Sequence, residues 1–243
     1  MGRREERRLE RRTQLLDSAM SILAEGGLEA LTIPRLAKHM QASVGGLYRY
    51  FPSKEAIFVA LQKRAIDTFQ TLQKEAMRRS ALEAQDASAR VQALANIVAM
   101  FALIVDLAKR APIEHALLDA FLSAPSPTLN DEQARDINAY LAPLLNSCCK
   151  ELEKASAIGA IDGSNAMVKT HLMWASLHGL SHFRKRDRIQ PSPLQVDALA
   201  DTLIETLLRG WSARDEDIKA AFTCVKGTRI IAANKSEPLP SSA

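Results

Sequence analysis

The 243-residue chain is short of the residues that break helices and of those that build covalent or metal frameworks. Ten glycines, ten prolines and no conspicuous run of alternating apolar and polar residues argue against strands and for an all-helical chain. The three cysteines, Cys148, Cys149 and Cys224, have neither metal-type spacing nor the density of a disulfide scaffold. Two of them are adjacent, and buried, inert thiols are the expected state there. No segment approaches the ~20 consecutive apolar residues of a membrane helix, and no apolar core follows the N-terminal charges as in a secretory leader. A cytoplasmic location fits these absences. No nucleophile–base pair, phosphate-cradling glycine loop or HExxH motif occurs, so spacing supports no catalytic site; neither an enzyme nor a cofactor is expected.

What is present is apolar bulk and uneven charge. Hydrophobic residues make up 47% of the chain, enough for one large or two modest domains. Residues 1–64 carry 12 Lys and Arg against 7 Asp and Glu, whereas the remainder is almost balanced at 20 against 21. A basic N-terminal portion suits a polyanionic partner such as DNA. Residues 1–12, MGRREERRLERR, concentrate six arginines. They read either as a solvated tail or as an arm that tracks phosphates or enters a minor groove.

The stretch from Thr32 to Phe58 has the punctuation of a helix-turn-helix. Thr32 can cap a helix whose first turn holds Pro34, where a missing N–H costs nothing. Ile33, Leu36, Ala37 and Met40 repeat at three and four, leaving Arg35, Lys38 and His39 on the other side. Gln41-Ala42 forms the turn, and Ser43 caps a second helix running from Val44 to about Tyr50. That helix is too short to stand alone. Its outward residues, Ser43, Gly45, Gly46 and Tyr48, are small or flat, as close approach to a DNA groove requires. Pro52 stops it, Ser53 caps the next helix, and Lys54 sits in a first turn where only an external anion offsets its conflict with the helix dipole.

The run Ser43-Val44-Gly45-Gly46-Leu47-Tyr48-Arg49-Tyr50-Phe51-Pro52-Ser53-Lys54-Glu55-Ala56-Ile57 resembles the signature of TetR-type transcriptional regulators. The apolar helix Thr13–Ala24, the Gly26-Gly27 break and Thr32-Ile33 fall where that family has them. Gln41 departs from it, since the family usually has glycine in the turn. The resemblance implies an all-α protein. A three-helix DNA-binding domain with its basic arm would fill residues 1–53, a helical ligand-binding and dimerisation domain residues 54–225, and a flexible tail residues 226–243. It implies a homodimeric repressor released from a double-stranded operator by a small molecule, with no membrane partner. Thr32, Tyr48, Tyr50 and Lys54 would hold phosphates, while Arg35 and the edge Ser43, Val44, Gly45, Gly46 face bases. A ligand-independent DNA-binding structural or cell-cycle protein of the same fold is the alternative.

Periodicity beyond residue 54 predicts further helices over about 54–80, 88–109, 113–122, 131–157, 164–185, with Ser164 as cap, and 193–211, with Ser192 as cap. A short one follows over 215–225. Pro125-Ser126-Pro127 reads as a loop. The fifth helix of the chain is apolar nearly all round and so central. The inward stripe of the ninth is Val196, Leu199, Leu203, Leu207 and Trp211. The resemblance implies a dimer interface through the helices near 164–185 and 193–211, and an effector pocket for which Met100, Phe101, His115, Phe121, Met173, Trp174 and His178 are candidates. His171, His178 and His182 share a face of one predicted helix. The latter two are spaced to chelate a metal, but no nearby cysteine or carboxylate in sequence completes a set, so no metal site is assigned.

Overall fold

The computed structural model describes residues 2–123 and 130–230, with side chains for 2–120 and 130–226. Among these every regular element is helical: α1 Arg3–Gly26, α2 Ile33–His39, α3 Val44–Tyr48, α4 Lys54–Glu83, α5 Ala89–Arg110, α6 Pro112–Ser123, α7 Asp131–Ala157, α8 Ala166–Ser181, α9 Val196–Gly210 and α10 Asp215–Ile230. Two corrections come at the ends. The first helix starts at Arg3 rather than Thr13, so the basic segment is the opening of α1 and not a separate arm. Of the tail expected from residue 226, the part up to Ile230 belongs to α10. Residues 231–243 and the Pro125-Ser126-Pro127 loop lie outside the described residues.

The chain forms two compact units, Met1–Phe69 with Ala111–Ala142, and Gln70–Arg110 with Pro143–Ala243. This differs from a division after residue 53. The reason is burial. Ile57, Leu61 and Ala65 from the first half of α4, and Leu117 from α6, complete one core with Leu15, Ala19, Ile22, Leu23, Leu31, Leu36, Ala37, Leu47 and Phe51. The Gln62 side chain closes the same unit by donating to the Leu117 carbonyl at 3.3 Å.

The second unit is organised on α5, against which α8, α9 and α10 pack. Thirteen residues of α5 are buried, among them Leu94, Phe101 and Ile104. An 18-residue window of α5 has a mean hydropathy of 2.0, so by length and composition this helix does reach the requirement of a membrane span, contrary to the sequence expectation. Its burial on nearly all sides within the unit accounts for that composition. Cys148 and Cys149 are buried, and Gln73 Nε2 donates to Cys148 Sγ at 3.1 Å. Burial pushes the Cys148 thiol up to about 12, which removes the reactive thiolate.

Helix ends in this unit are set by residues other than those expected. Asn165, not Ser164, caps α8, accepting from the amides of Met167 and Val168 at 3.0 and 3.1 Å. Then α8 stops at Ser181 and the chain continues as a 3-10 stretch, His182–Ile189. Arg184 ties that stretch to the Val105 carbonyl at 3.1 Å and to Asp197 Oδ1 at 2.8 Å. Ser192 opens only a 3-10 turn, and the Val196 amide at the start of α9 is capped from a distance by Asp187 Oδ1 at 2.9 Å. The buried row of α9 is Val196, Ala200, Ile204 and Leu208; Leu199, Leu203 and Leu207 form a neighbouring row that is half-exposed.

The α2–α3 turn is a Schellman closure. The Ala42 amide bonds the Ala37 carbonyl at 2.9 Å and the Gln41 amide that of Lys38 at 3.1 Å. Gln41 occupies the left-handed position with φ of 51°, which costs a side-chain-bearing residue about 1 kcal/mol. Gln41→Gly is therefore expected to raise the thermal midpoint, by a stability increment of up to about 1 kcal/mol. A lowered midpoint on thermal denaturation would show that the glutamine side chain contributes more than its backbone costs.

Candidate DNA-reading surface

The surface is built from two capped helices and the residues between them. Thr32 Oγ1 accepts from the Arg35 amide at 3.3 Å and starts α2; Ser43 Oγ accepts from the Gly46 amide at 3.1 Å and starts α3. Each hydroxyl satisfies one of the amides left orphaned at a helix start. Of the five residues of α3 only Leu47 is buried, at 2% exposure. Val44 and Tyr48 are 41% and 45% exposed, and Gly45 lies open between them in sequence. A Cβ built on Gly45 meets no atom within 4 Å, whereas one on Gly46 falls 3.1 Å from Ser43 Oγ.

The other expected contact residues are placed as follows. Arg35 is exposed but paired with Glu25 at 2.6 Å. Lys54 is exposed in the first turn of α4, its Nζ 5.4 Å from the Phe58 ring centroid. Ser53 caps that helix through the Ala56 amide at 3.1 Å, and a backbone hydrogen bond, with help from Ser53, holds the Glu55 carboxyl below its ordinary range. Tyr50 is half-buried, unlike the exposed Tyr48. It lines a cleft of about 180 Å³ with Arg11, Met40, Ser43, Gly46 and Arg49. Arg49, Lys38 and His39 are exposed around this surface and were absent from the expected contact set. For Arg49 the available signal was its place just after the capped helix, where a cation also suits the dipole.

The expected effector residues are divided. Met100, Phe101 and Met173 belong to the core of the second unit, with Trp174 and His178 half-buried on α8. His115 belongs to the first unit, and the Phe121 side chain lies outside the described residues. A small cleft of about 30 Å³ in the second unit is lined by Glu75, Arg79, Ala99, Asp106 and Arg110 and by none of these candidates. His182 falls outside α8; its ring meets that of His178 edge-on at 5.3 Å.

Residues 15–61, from the core of α1 to the second turn of α4, match the family described as bacterial regulatory proteins, tetR family. Residues 15–61 thus resemble the N-terminal domain of the TetR family. Relatives of this TetR domain include the HTH-type transcriptional repressor KstR of Rhodococcus jostii. It is 35% identical over 74 residues, which are 30% of this chain and 35% of KstR. The nucleoid occlusion factor SlmA of Actinobacillus pleuropneumoniae is 45% identical over 60 residues, 24% of this chain and 30% of SlmA. The chain thus spans about a third of the length of the curated relatives it matches. The wider helical fold is shared with the transcriptional regulator FadR of Bacillus subtilis, solved in complex with stearoyl-CoA, at a TM-score of 0.55 and 21% identity, covering 82% of this chain and 98% of FadR.

Nothing in the fold requires a glycine at position 45. Gly45→Ala is expected to stabilise the protein by a few tenths to about 1 kcal/mol, through the better helix propensity of alanine. A clear loss in thermal unfolding would mean that the open face of α3 is packed in solution.

Proposed function

We propose that this chain is a homodimeric TetR-type transcriptional repressor that places α3 in the major groove of an operator half-site and is released by a small-molecule effector. The observation that carries the reading is the outward face of α3. Val44 and Tyr48 are exposed with an open glycine between them, while a single leucine holds the helix to its core. A protein gains nothing from exposing such a face to water alone; a groove wall gives it apolar and backbone partners. Ser43, Val44, Gly45 and Gly46 form the base-facing edge. Thr32, Tyr48, Tyr50 and Lys54 hold phosphates, and Arg35 reaches a base by exchanging its Glu25 partner. An exposed ion pair costs little to exchange.

Dimerisation supplies the second half-site. On α8, Val168 and Leu172 are 54% and 52% exposed with Ala175 exposed beside them, and α9 offers the half-exposed row Leu199, Leu203, Leu207. Two copies joined through these helices bring two readers to sites about one turn of DNA apart, about 34 Å. In this reading the second unit takes the effector, and α4, whose residues up to Phe69 belong to the first unit and from Gln70 to the second, is the continuous connection between effector and reader. The effector must bind the DNA-free arrangement more tightly, since equal affinity for both shifts nothing. The complex of FadR with stearoyl-CoA makes acyl-coenzyme A thioesters the first class to screen.

A second reading is favoured by the match to a nucleoid occlusion factor over the same domain: a DNA-binding cell-cycle protein without effector control. Genome-wide binding separates the two, with few sites beside regulated genes for a repressor and many scattered sites for the other. The experiment on the reader itself uses the full chain and an operator fragment so recovered. Tyr48→Ala is expected to weaken binding at least about tenfold, the loss of ~1.4 kcal/mol. Gly45→Leu should abolish it with the thermal midpoint retained. Unchanged affinity in both variants would remove α3 as the reader.

A further inference from the structure

The N-terminal turns of α1 are a helix without a domain beneath them. Every residue from Gly2 to Glu10 is exposed, and the first fully buried side chain is Leu15. Arg3, Arg4, Arg7 and Arg8 make no hydrogen bond, ion pair or ring contact among the described residues. At about 100° per residue, Arg3, Arg4, Arg7, Arg8, Arg11 and Arg12 fill one half of the helix surface, and Glu5, Glu6 and Glu10 fall in the other half. In consequence every charged pair spaced four apart is of like sign: Arg3/Arg7, Arg4/Arg8, Arg7/Arg11, Arg8/Arg12 and Glu6/Glu10. Such pairs oppose the helix, and the opposite-sign pairs three apart, Arg3/Glu6, Glu5/Arg8 and Arg7/Glu10, offset them only in part. A polyanion along the arginine face would remove the repulsion.

That face has a direction. Arg11 lies near its middle and lines the cleft with Ser43, Gly46 and Arg49, and the Arg12 guanidinium sits 4.4 Å from the Phe51 ring centroid, just beyond α3. The buried residues Leu15, Ala19 and Ile22 occupy the same side of α1. The basic face therefore continues the core face past the end of the domain, beside the reading helix.

We propose that this projection is a second DNA-binding element, which stays helical and lies across the phosphates flanking the half-site. The proposal rests on the reading of α3 as the operator reader. A helix with its side chains is about 10–12 Å across and the minor groove about 6 Å wide, so the helical form excludes the extended minor-groove arm that the sequence left open. From Arg3 to Arg12 the helix rises about 14 Å, the length of about four phosphates of one strand.

The test titrates salt against binding of the full chain to linear random-sequence duplex DNA. For Arg3, Arg4, Arg7 and Arg8 all changed to Gln, the slope of log affinity on log salt should become shallower by about 2 to 4. The same four changed to Lys should keep the slope, because charge and not shape is used. The difference should be equal on A·T-rich and G·C-rich duplexes. Equal slopes for wild type and the Gln variant would overturn the element while leaving α3 as reader. An effect confined to A·T-rich DNA would overturn it in favour of a minor-groove arm. If the wild-type chain shows no salt-dependent DNA binding, both readings fail together.

Discussion

Leu47 is the single buried residue of α3, and its contact with the core of the first unit determines what the helix shows to the outside. A five-residue helix has no stability of its own; it exists because Ser43 caps it and Leu47 seals it onto a core built from Leu15, Leu36, Phe51 and Leu61. Once that leucine is down, Tyr48 and Gly45 lie about 100° and about 160° away around the helix and face outward, and Val44, about 60° away, stands exposed at the edge of the buried side. The exposed apolar face is thus a consequence of one hydrophobic anchor. The Schellman turn at Gln41 sets the angle at which α3 leaves α2, and it does so at the cost of a left-handed residue with a side chain.

The local features of this domain were readable from sequence because they depend on neighbours in the chain. Thr32, Ser43 and Ser53 each cap a helix within three residues, and each does so in the structure. What depends on distant partners was not readable. Between the adjacent Ser164 and Asn165, both good caps by residue type, the choice rests on a local turn instead: Asp162 accepts the Ser164 amide at 2.8 Å and Asn165 does the capping. No local pattern could reveal that Asp187 caps α9 from nine residues upstream. The start of α1 was hidden for a related reason, since the apolar period begins only at Leu15 whereas the helix does not.

The division into two units and the inward face of α9 illustrate the same limit. α4 reads as one continuous helix, and its sequence does not say that Ile57, Leu61 and Ala65 serve the core of the reader. α7 passes from the first unit to the second at Ala142–Pro143, and Pro143 stands inside a helix where its missing amide deletes one hydrogen bond. On α9 two apolar rows lie side by side, one of mixed sizes and one of leucines. Size alone favours the leucines as core, yet the structure buries Val196, Ala200, Ile204 and Leu208 and leaves the leucine row half-exposed. α5 met the composition of a membrane helix because a helix surrounded by protein needs the same apolar surface as one surrounded by lipid.

The central claim is that α3 occupies the major groove, twice, on one face of the duplex. Guanine N7 methylation protection on a genomic fragment bound by the full chain tests it most directly, because that atom is accessible only from the major groove. The account predicts two protected patches centred about one helical turn apart, about 10 base pairs. Protection of minor-groove positions alone, or a single unrepeated patch, would contradict it.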